Sequence, residues 1–312
     1  MKSVLVTGGL GMVGSHIVES LVSRGDEVTV IDNLRTGRRI NLLEQLKATI
    51  LIEDIANELA MKEIADSQKF DVIVHCAASY ADPLDWISDA RSNILGTIHV
   101  AEMAKEHGAR VVYFQTALCY GLTPQKNPIP IDYPRIPASS SYAISKSAAE
   151  DYLLLSKLDI VTFRLANIIG PRNLSGALPI FYKRIDAGAK CSVAEARRDF
   201  VDVRDIVPTV LKSVDGVGQG AYHLSSGKDV SIHELFLEVQ ANFPAEKHLA
   251  PEIVPNSSQN AASILLDPAR TYEDFGSMTY RPLKDTVRDA IEYYERFGVA
   301  EERTHFHFSG KK

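Results

Sequence analysis

Along the first 170 residues, short apolar runs alternate with longer stretches in which apolar positions recur every three or four residues. Val4-Leu5-Val6 closes in a cluster of glycines, residues 12–24 follow helical spacing, and Val28-Thr29-Val30-Ile31 is again a short apolar run. That succession reads as strand, helix, strand. Further buried strands are predicted at 49–52, 72–74, 111–114 and 160–164, with helices at 93–107 and 142–156 among them. Alternation of this kind predicts an α/β fold whose doubly wound parallel sheet is covered on both faces.

Beyond about residue 170 the rhythm changes. Prolines at 171, 179, 208, 244, 251, 255, 268 and 282 interrupt shorter helices, such as 231–241 and 283–296. A second, smaller lobe is expected over 171–312. Strand-like runs at 200–203 and 221–224 suggest that the chain returns to the first sheet near 199–224. The last segment, 301–312, is polar enough for a loose tail.

Composition adds mainly exclusions. The chain of 312 residues is 45% apolar and 24% charged, which is ordinary for a folded globular protein. Its net charge of −6, with few clustered cations, excludes a broad nucleic-acid footprint. Cys76, Cys119 and Cys191 are odd in number and lack CxxC spacing, so a reducing, cytoplasmic compartment is expected. No apolar stretch suits a signal peptide or a membrane span, and no metal is expected.

The first chemical signal is Thr7-Gly8-Gly9-Leu10-Gly11-Met12-Val13-Gly14, placed between the first strand and the first helix. Glycine lets backbone turn tightly and approach a pyrophosphate, while the helix N-terminus offers unpaired N–H groups. Asp32 lies at the end of the second strand, where a carboxylate accepts from an adenosine ribose and repels a 2′-phosphate. NAD is therefore preferred over NADP.

The second signal is Tyr142 and Lys146, four residues apart and so on one face of a helix. A tyrosine acting as a base near neutrality needs its pKa lowered by about 3 units, or about 4 kcal/mol. A cation at about 4 Å in an effective dielectric of about 20 supplies a similar amount. Thr116 closes the 111–114 strand region near the sheet edge where ligands collect, positioned to hold a substrate hydroxyl beside Tyr142.

Together these residues resemble the extended short-chain dehydrogenase/reductase superfamily, and more narrowly its nucleotide-sugar epimerase and dehydratase branch. The resemblance also includes Val30-Ile31-Asp32-Asn33-Leu34, Asp54-Ile55, His75-Cys76-Ala77-Ala78, Asn93 to Thr97, Thr116 to Gly121 and Arg198-Asp199-Phe200. It implies an NAD-binding Rossmann-type domain over 1–170 and a mixed substrate lobe over 171–312. Gly8, Gly11, Met12 and Val13 would wrap the pyrophosphate, with Asp32 and Asn33 on the adenosine side and Asp54 and Ile55 at the adenine. Ala77, Ala78 and Tyr80 would line the cofactor channel. Asn93 would brace the central helices near the nicotinamide, or else cap a helix. His75 is read as a packed strand-end histidine.

On the substrate side, the resemblance implies that Asn167 and Arg198 contact a diphosphate, for which a planar guanidinium is well shaped. Arg281 is a further candidate for the same group, with a surface salt bridge as the other reading. Arg172 would face a carboxylate if the sugar is a uronic acid. Uridine diphosphate is the carrier implied by the family. Two departures matter. Ala117-Leu118 follows Thr116 where the 4,6-dehydratases carry Asp-Glu, and the loop Ala194-Glu195-Ala196-Arg197 is short where relatives border the nucleotide base.

The reading that results is an NAD-dependent nucleotide-sugar epimerase that inverts C4 of a UDP-sugar through a transient 4-keto intermediate. Tyr142 removes the 4-hydroxyl proton, Lys146 lowers the tyrosine pKa and anchors the nicotinamide ribose, and Thr116 orients the hydroxyl. The alternatives are a dehydratase, reductase or decarboxylase of the same family, or a non-catalytic NAD-binding regulator. A homodimer paired through helices 93–107 and 142–156 is expected, since family members commonly pair so and an isologous interface fits the prior.

Overall fold

The computed structural model describes residues 1–42, 45–137, 140–256 and 261–299. The tail expected at 301–312 lies outside the described residues. In chain order the first part supplies β1 (Ser3–Thr7), α1 (Met12–Ser23), β2 (Glu27–Ile31), β3 (Ala48–Leu51), α2 (Glu58–Ser67), β4 (Val72–His75), α3 (Trp86–Asp89), α4 (Gly96–His107), β5 (Arg110–Thr116), α5 (Ser141–Ser156) and β6 (Ile160–Leu165). There follow β7 (Asn167–Ile169), α6 (Ala177–Asp186), β8 (Ser192–Ala194), β9 (Arg197–Arg198), β10 (Phe200–Asp202), α7 (Val203–Val214) and β11 (Gly220–Leu224). The chain continues through β12 (Val230–Ser231), α8 (Ile232–Gln240), β13 (Glu252–Val254), β14 (Ser263–Ile264), α9 (Ala269–Phe275) and α10 (Leu283–Phe297).

The central sheet runs β11-β6-β5-β4-β1-β2-β3 and is parallel at every pairing. Successive side chains of a strand point to opposite faces, so each apolar run feeds two cores. Val4 and Val6 join α1 and α7 on one face, through Ile17, Leu21, Ile206 and Val210. Leu5, Val111 and Tyr113 join α2, α4 and α5 on the other, through Met61, Val100 and Leu153. Burial on both faces explains why these strands read as continuous apolar runs rather than as alternation. A separate core holds α6, α8 and α10 together through Phe181, Phe236 and Tyr294.

The sheet order reverses direction between β1 and β4, and this switch point is where a crevice opens above the carboxyl ends of the strands. Two segments differ from the sequence reading. The 221–224 run returns to the main sheet as β11 beside β6, but the 200–203 run forms β10 against β7 and ends at Asp202. The Asp202 carboxylate accepts from the Arg204 N–H at 2.8 Å, which caps α7 and turns Val203 into helix. The helix expected at 93–107 becomes α4 only at Gly96, because Ala90–Leu95 is wound as a π turn.

His75 is packed, as read from the sequence. Its Nδ1 meets Thr7 Oγ1 at 2.6 Å and its Nε2 meets Thr97 Oγ1 at 2.9 Å. Thr97 spends its own hydroxyl hydrogen on the Asn93 carbonyl at 2.6 Å, so Nε2 of His75 donates to the Thr97 oxygen. Burial holds His75 and His16 down at about 3 and His223 at about 4, against an ordinary 6.5. The unfolded chain therefore binds protons below pH 6.5 that the folded chain refuses, and stability is lost as pH falls. The expected loss is about 2 kcal/mol per histidine by pH 5. Thermal melting between pH 8 and 5 should show Tm falling, with a shallower slope in His75→Gln; a flat profile would contradict this.

Candidate active site

β1 delivers its chain directly into Gly8, whose φ of +65° is left-handed. A Cβ there would stand 2.6 Å from the Ala77 N, and a Cβ on Gly14 would stand 2.3 Å from the Gly8 carbonyl. Only glycine permits these approaches. They press the loop against the start of α1, where Gly11 provides no side-chain cap and the first N–H groups face outward. Gly8, Gly11, Met12 and Val13 line a cleft of about 350 Å³. A loop without side chains, ending at an uncapped helix N-terminus, fits a dinucleotide pyrophosphate.

Asp32 sits at the end of β2, 6% exposed, and accepts from the Leu10 N–H at 3.0 Å and the Leu34 N–H at 2.8 Å. Burial nonetheless pushes its carboxyl above the usual range. Asn33 and Ile55 also line the cleft, whereas Asp54 stands behind it, bonded to Asn33 at 3.1 Å and to the Ala56 N–H at 2.8 Å. Glu53 takes the lining position beside Ile55 instead. Of the nearby arginines, Arg35 lines the cleft and Arg38 does not. Arg35 pairs with Asp85 at 2.5 Å and Arg38 donates to the Phe297 and Gly298 carbonyls. The buried carboxylate disfavours a 2′-phosphate.

Thr116, Tyr142 and Lys146 line the same cleft with Ala77, Ala78 and Tyr80. α5 begins at Ser141 because the Ser140 hydroxyl accepts from the Ala143 N–H at 3.1 Å, setting Tyr142 in the first turn. Thr116 Oγ1 accepts from the Leu118 N–H at 3.2 Å, which leaves its hydrogen for a partner in the cleft. Lys146 is 3% exposed, with Nζ 4.0 Å from the centre of the Tyr113 ring. Burial draws its pKa down to about 7, opposed by the Cys76 thiol and the Glu150 carboxylate. Tyr142 moves the other way: burial raises its phenol, and Tyr80 and Asp89 raise it further. The lowered tyrosine pKa expected from the sequence is thus not a property of the protein groups alone, because desolvation, Tyr80 and Asp89 all act to raise it.

Asn93 lies within the π turn rather than at a helix start. Its amide accepts from the Ser79 N–H at 2.8 Å and donates to the Ser79 carbonyl and to Ser145 Oγ, both at 2.9 Å. It clips the loop after β4, which carries Tyr80, to α5. On the substrate side Asn167 and Arg198 line the cleft. Burial lowers the Arg198 guanidinium to about 10, and an anion bound beside it would favour the charged form.

Besides Asp54 and Asn93, which stand behind the cleft wall, two predicted substrate-side residues do not line the cleft. Arg172 donates to Ser15 Oγ at 3.0 Å and Glu19 at 2.6 Å, held against α1 by its own left-handed backbone. Arg281 pairs with Asp205, the salt-bridge reading, and lines a separate depression with Arg204 and Lys212. Conversely, the sequence reading missed Gln115, Asn173 and residues 175–178, all of which line the cleft. Gly176, ahead of the apolar start of α6, was the available signal for the last group.

Known proteins share this fold and much of its sequence. Residues 4–223 match the model of the NAD dependent epimerase/dehydratase family. The enzyme WbmH of Bordetella bronchiseptica, solved with NAD+, is 50% identical over 96% of this chain and 100% of its own, with a TM-score of 0.93. WbmG from the same organism, solved with NAD and UDP, is 37% identical over 99% of both chains, with a TM-score of 0.87. The UDP-glucose 4-epimerase of Mycolicibacterium smegmatis is 30% identical over 93% of this chain and 97% of its own. A dinucleotide crevice that shares its wall with a tyrosine-lysine helix defines an extended short-chain dehydrogenase/reductase. Within that superfamily the chain belongs to the NAD-dependent epimerase/dehydratase family.

Removing the charge at Asp32 should weaken the discrimination against a 2′-phosphate. In Asp32→Asn the ratio of Kd values for NADP and NAD, read by fluorescence titration, should narrow by roughly 10-fold, about 1.4 kcal/mol. An unchanged ratio would place the selectivity elsewhere.

Proposed function

We propose that this enzyme is an NAD-dependent nucleotide-sugar epimerase that inverts C4 of a UDP-linked sugar. The observation that carries the reading is the convergence of Thr116, Tyr142 and Lys146 on one wall of the cleft that the glycine loop opens. Ala117 and Leu118 follow Thr116 there, and the acidic residues among the described lining are Asp32 and Glu53, both at the adenosine end. Elimination of water needs an acid and a base beside the sugar, so a dehydratase is the weaker reading. UDP as the carrier is supported by the likeness to WbmG, whose structure holds NAD and UDP.

NAD, when bound, brings a cationic nicotinamide that accepts and returns a hydride. The chain's own groups manage the proton. Tyr142 is the general base for the 4-hydroxyl, and Lys146, held over the Tyr113 ring, favours the phenolate once charged. Thr116 orients the hydroxyl with its unspent hydrogen. Asn167 and Arg198 hold the diphosphate, so that the sugar alone turns between the two half-reactions. Residues 1–170 with β11 form the cofactor part, and most of 171–312 forms the substrate lobe.

The same helix supports a homodimer. Ile144, Ala148, Tyr152 and Leu155 form one stripe along the outer face of α5, with Ile144 51% and Leu155 74% exposed. Ile87, Leu95 and Ile98 form a second stripe beside it. Together they make an apolar patch of the kind that marks an interface. No helix among the described residues is long and apolar enough to cross a membrane, and the three cysteines are unpaired, which supports a cytoplasmic setting.

Tyr142→Phe should abolish interconversion while the protein still releases NAD on denaturation. The assay follows anomeric proton signals by NMR with UDP-hexoses, UDP-N-acetylhexosamines and UDP-uronic acids, without added cofactor. Full activity in the variant, or a 4-keto or pentose product from the unaltered enzyme, would overturn the assignment. Ile144→Glu with Leu155→Arg should yield a monomer by light scattering; an unaltered mass would remove the helical interface.

A further inference from the structure

Gln115 sits in the second-to-last position of β5, 1% exposed, in a strand that is otherwise apolar from Val111 to Phe114. An apolar residue of the same size would avoid the cost of burying an amide. Every hydrogen-bonding group of this amide is instead used. Its Oε1 accepts from the Thr116 N–H at 2.8 Å. Its Nε2 donates to the Lys146 carbonyl and to Glu150 Oε2, both at 2.9 Å. One side chain therefore spans the gap between the backbones of two residues on the reactive wall of the cleft.

The orientation of that amide is fixed from behind. Glu150 is 1% exposed and receives Arg164 at 2.8 Å and Arg135 at 3.2 Å, so its carboxylate is charged and accepts only. A carboxylate and a carbonyl on one side and an N–H on the other admit a single arrangement of Gln115. Flipping the amide would set its oxygen against two acceptors and its NH₂ against a donor. The contacts reach Thr116 and Lys146 through their main chains, leaving both side chains for the cleft.

We propose that Gln115 is a positioning residue for the epimerisation: its amide sets the separation between Thr116 on β5 and the Tyr142–Lys146 face of α5. The inference rests on the proposed function and adds a determinant of its rate. It acts on geometry that matters chiefly in the transition state, where a misplacement of about 1 Å costs on the order of 100-fold. Gln115 acts on main-chain atoms of that wall, so the side chains that would hold NAD and the diphosphate are all retained.

The test is Gln115→Met, which keeps the bulk and removes all three hydrogen bonds, with Gln115→Asn as a shorter amide in case the first variant fails to fold. Full-length proteins are compared with the unaltered enzyme by NMR turnover, NAD content and thermal melting. The expected result is a kcat lowered by roughly 10- to 100-fold at a temperature well below Tm, with KM within about twofold and NAD retained. A folded Gln115 variant with unchanged kcat overturns the proposal alone. Silence of the unaltered enzyme across the sugar panel overturns both this inference and the function on which it rests.

Discussion

The approach of the glycine loop to the ends of β1 and β4 is the constraint on which the site depends. Backbone atoms of Gly8, Gly14 and Ala77 meet at distances that no Cβ could share. Because the loop lies flat, α1 starts close to the sheet and presents its N-terminus at the switch point rather than above it. The same closeness brings Ala77 and Ala78, after β4, into the wall that Thr116, Tyr142 and Lys146 complete. A single methyl at either glycine would therefore displace both the cofactor wall and the reactive wall.

Burial creates the chemistry as well as the shape. Lys146, Tyr142 and Arg198 are each driven toward the neutral form by desolvation, in opposite directions on the pKa scale for phenol and cation. Each is thereby sensitive to whatever charge enters the cleft. A diphosphate beside Arg198 and a cationic ring near Tyr142, as proposed, would reverse those tendencies, so the protein would supply poised groups and the ligands the bias.

Much of this was readable in the residues, for identifiable reasons. The glycine loop, Asp32 and the Tyr142–Lys146 spacing are local patterns whose geometry follows from strand and helix periodicity. The parallel sheet was equally plain, since strands buried on both faces are apolar throughout. What stayed hidden was set by contacts distant in sequence. Arg172 and Arg281 could not be told from ligand-binding arginines until Glu19 and Asp205 were seen to engage them. Gln115 offered no pattern, because its partners lie at 116, 146 and 150 on two different elements. The π turn also had no signature in the helical spacing around it.

That turn carries a consequence for how the gene can drift. Ala90–Leu95 holds about a residue more per turn than an α-helix would, and Asn93, within it, reaches Ser79 and Ser145. Losing one codon there would rewind the segment as α-helix and swing everything on one side of it by about 100°. Asn93 would leave its partners, or α4 would turn its buried face outward. Point substitutions across this stretch are thus less dangerous than changes in its length, and insertions and deletions in descendants are expected to avoid it.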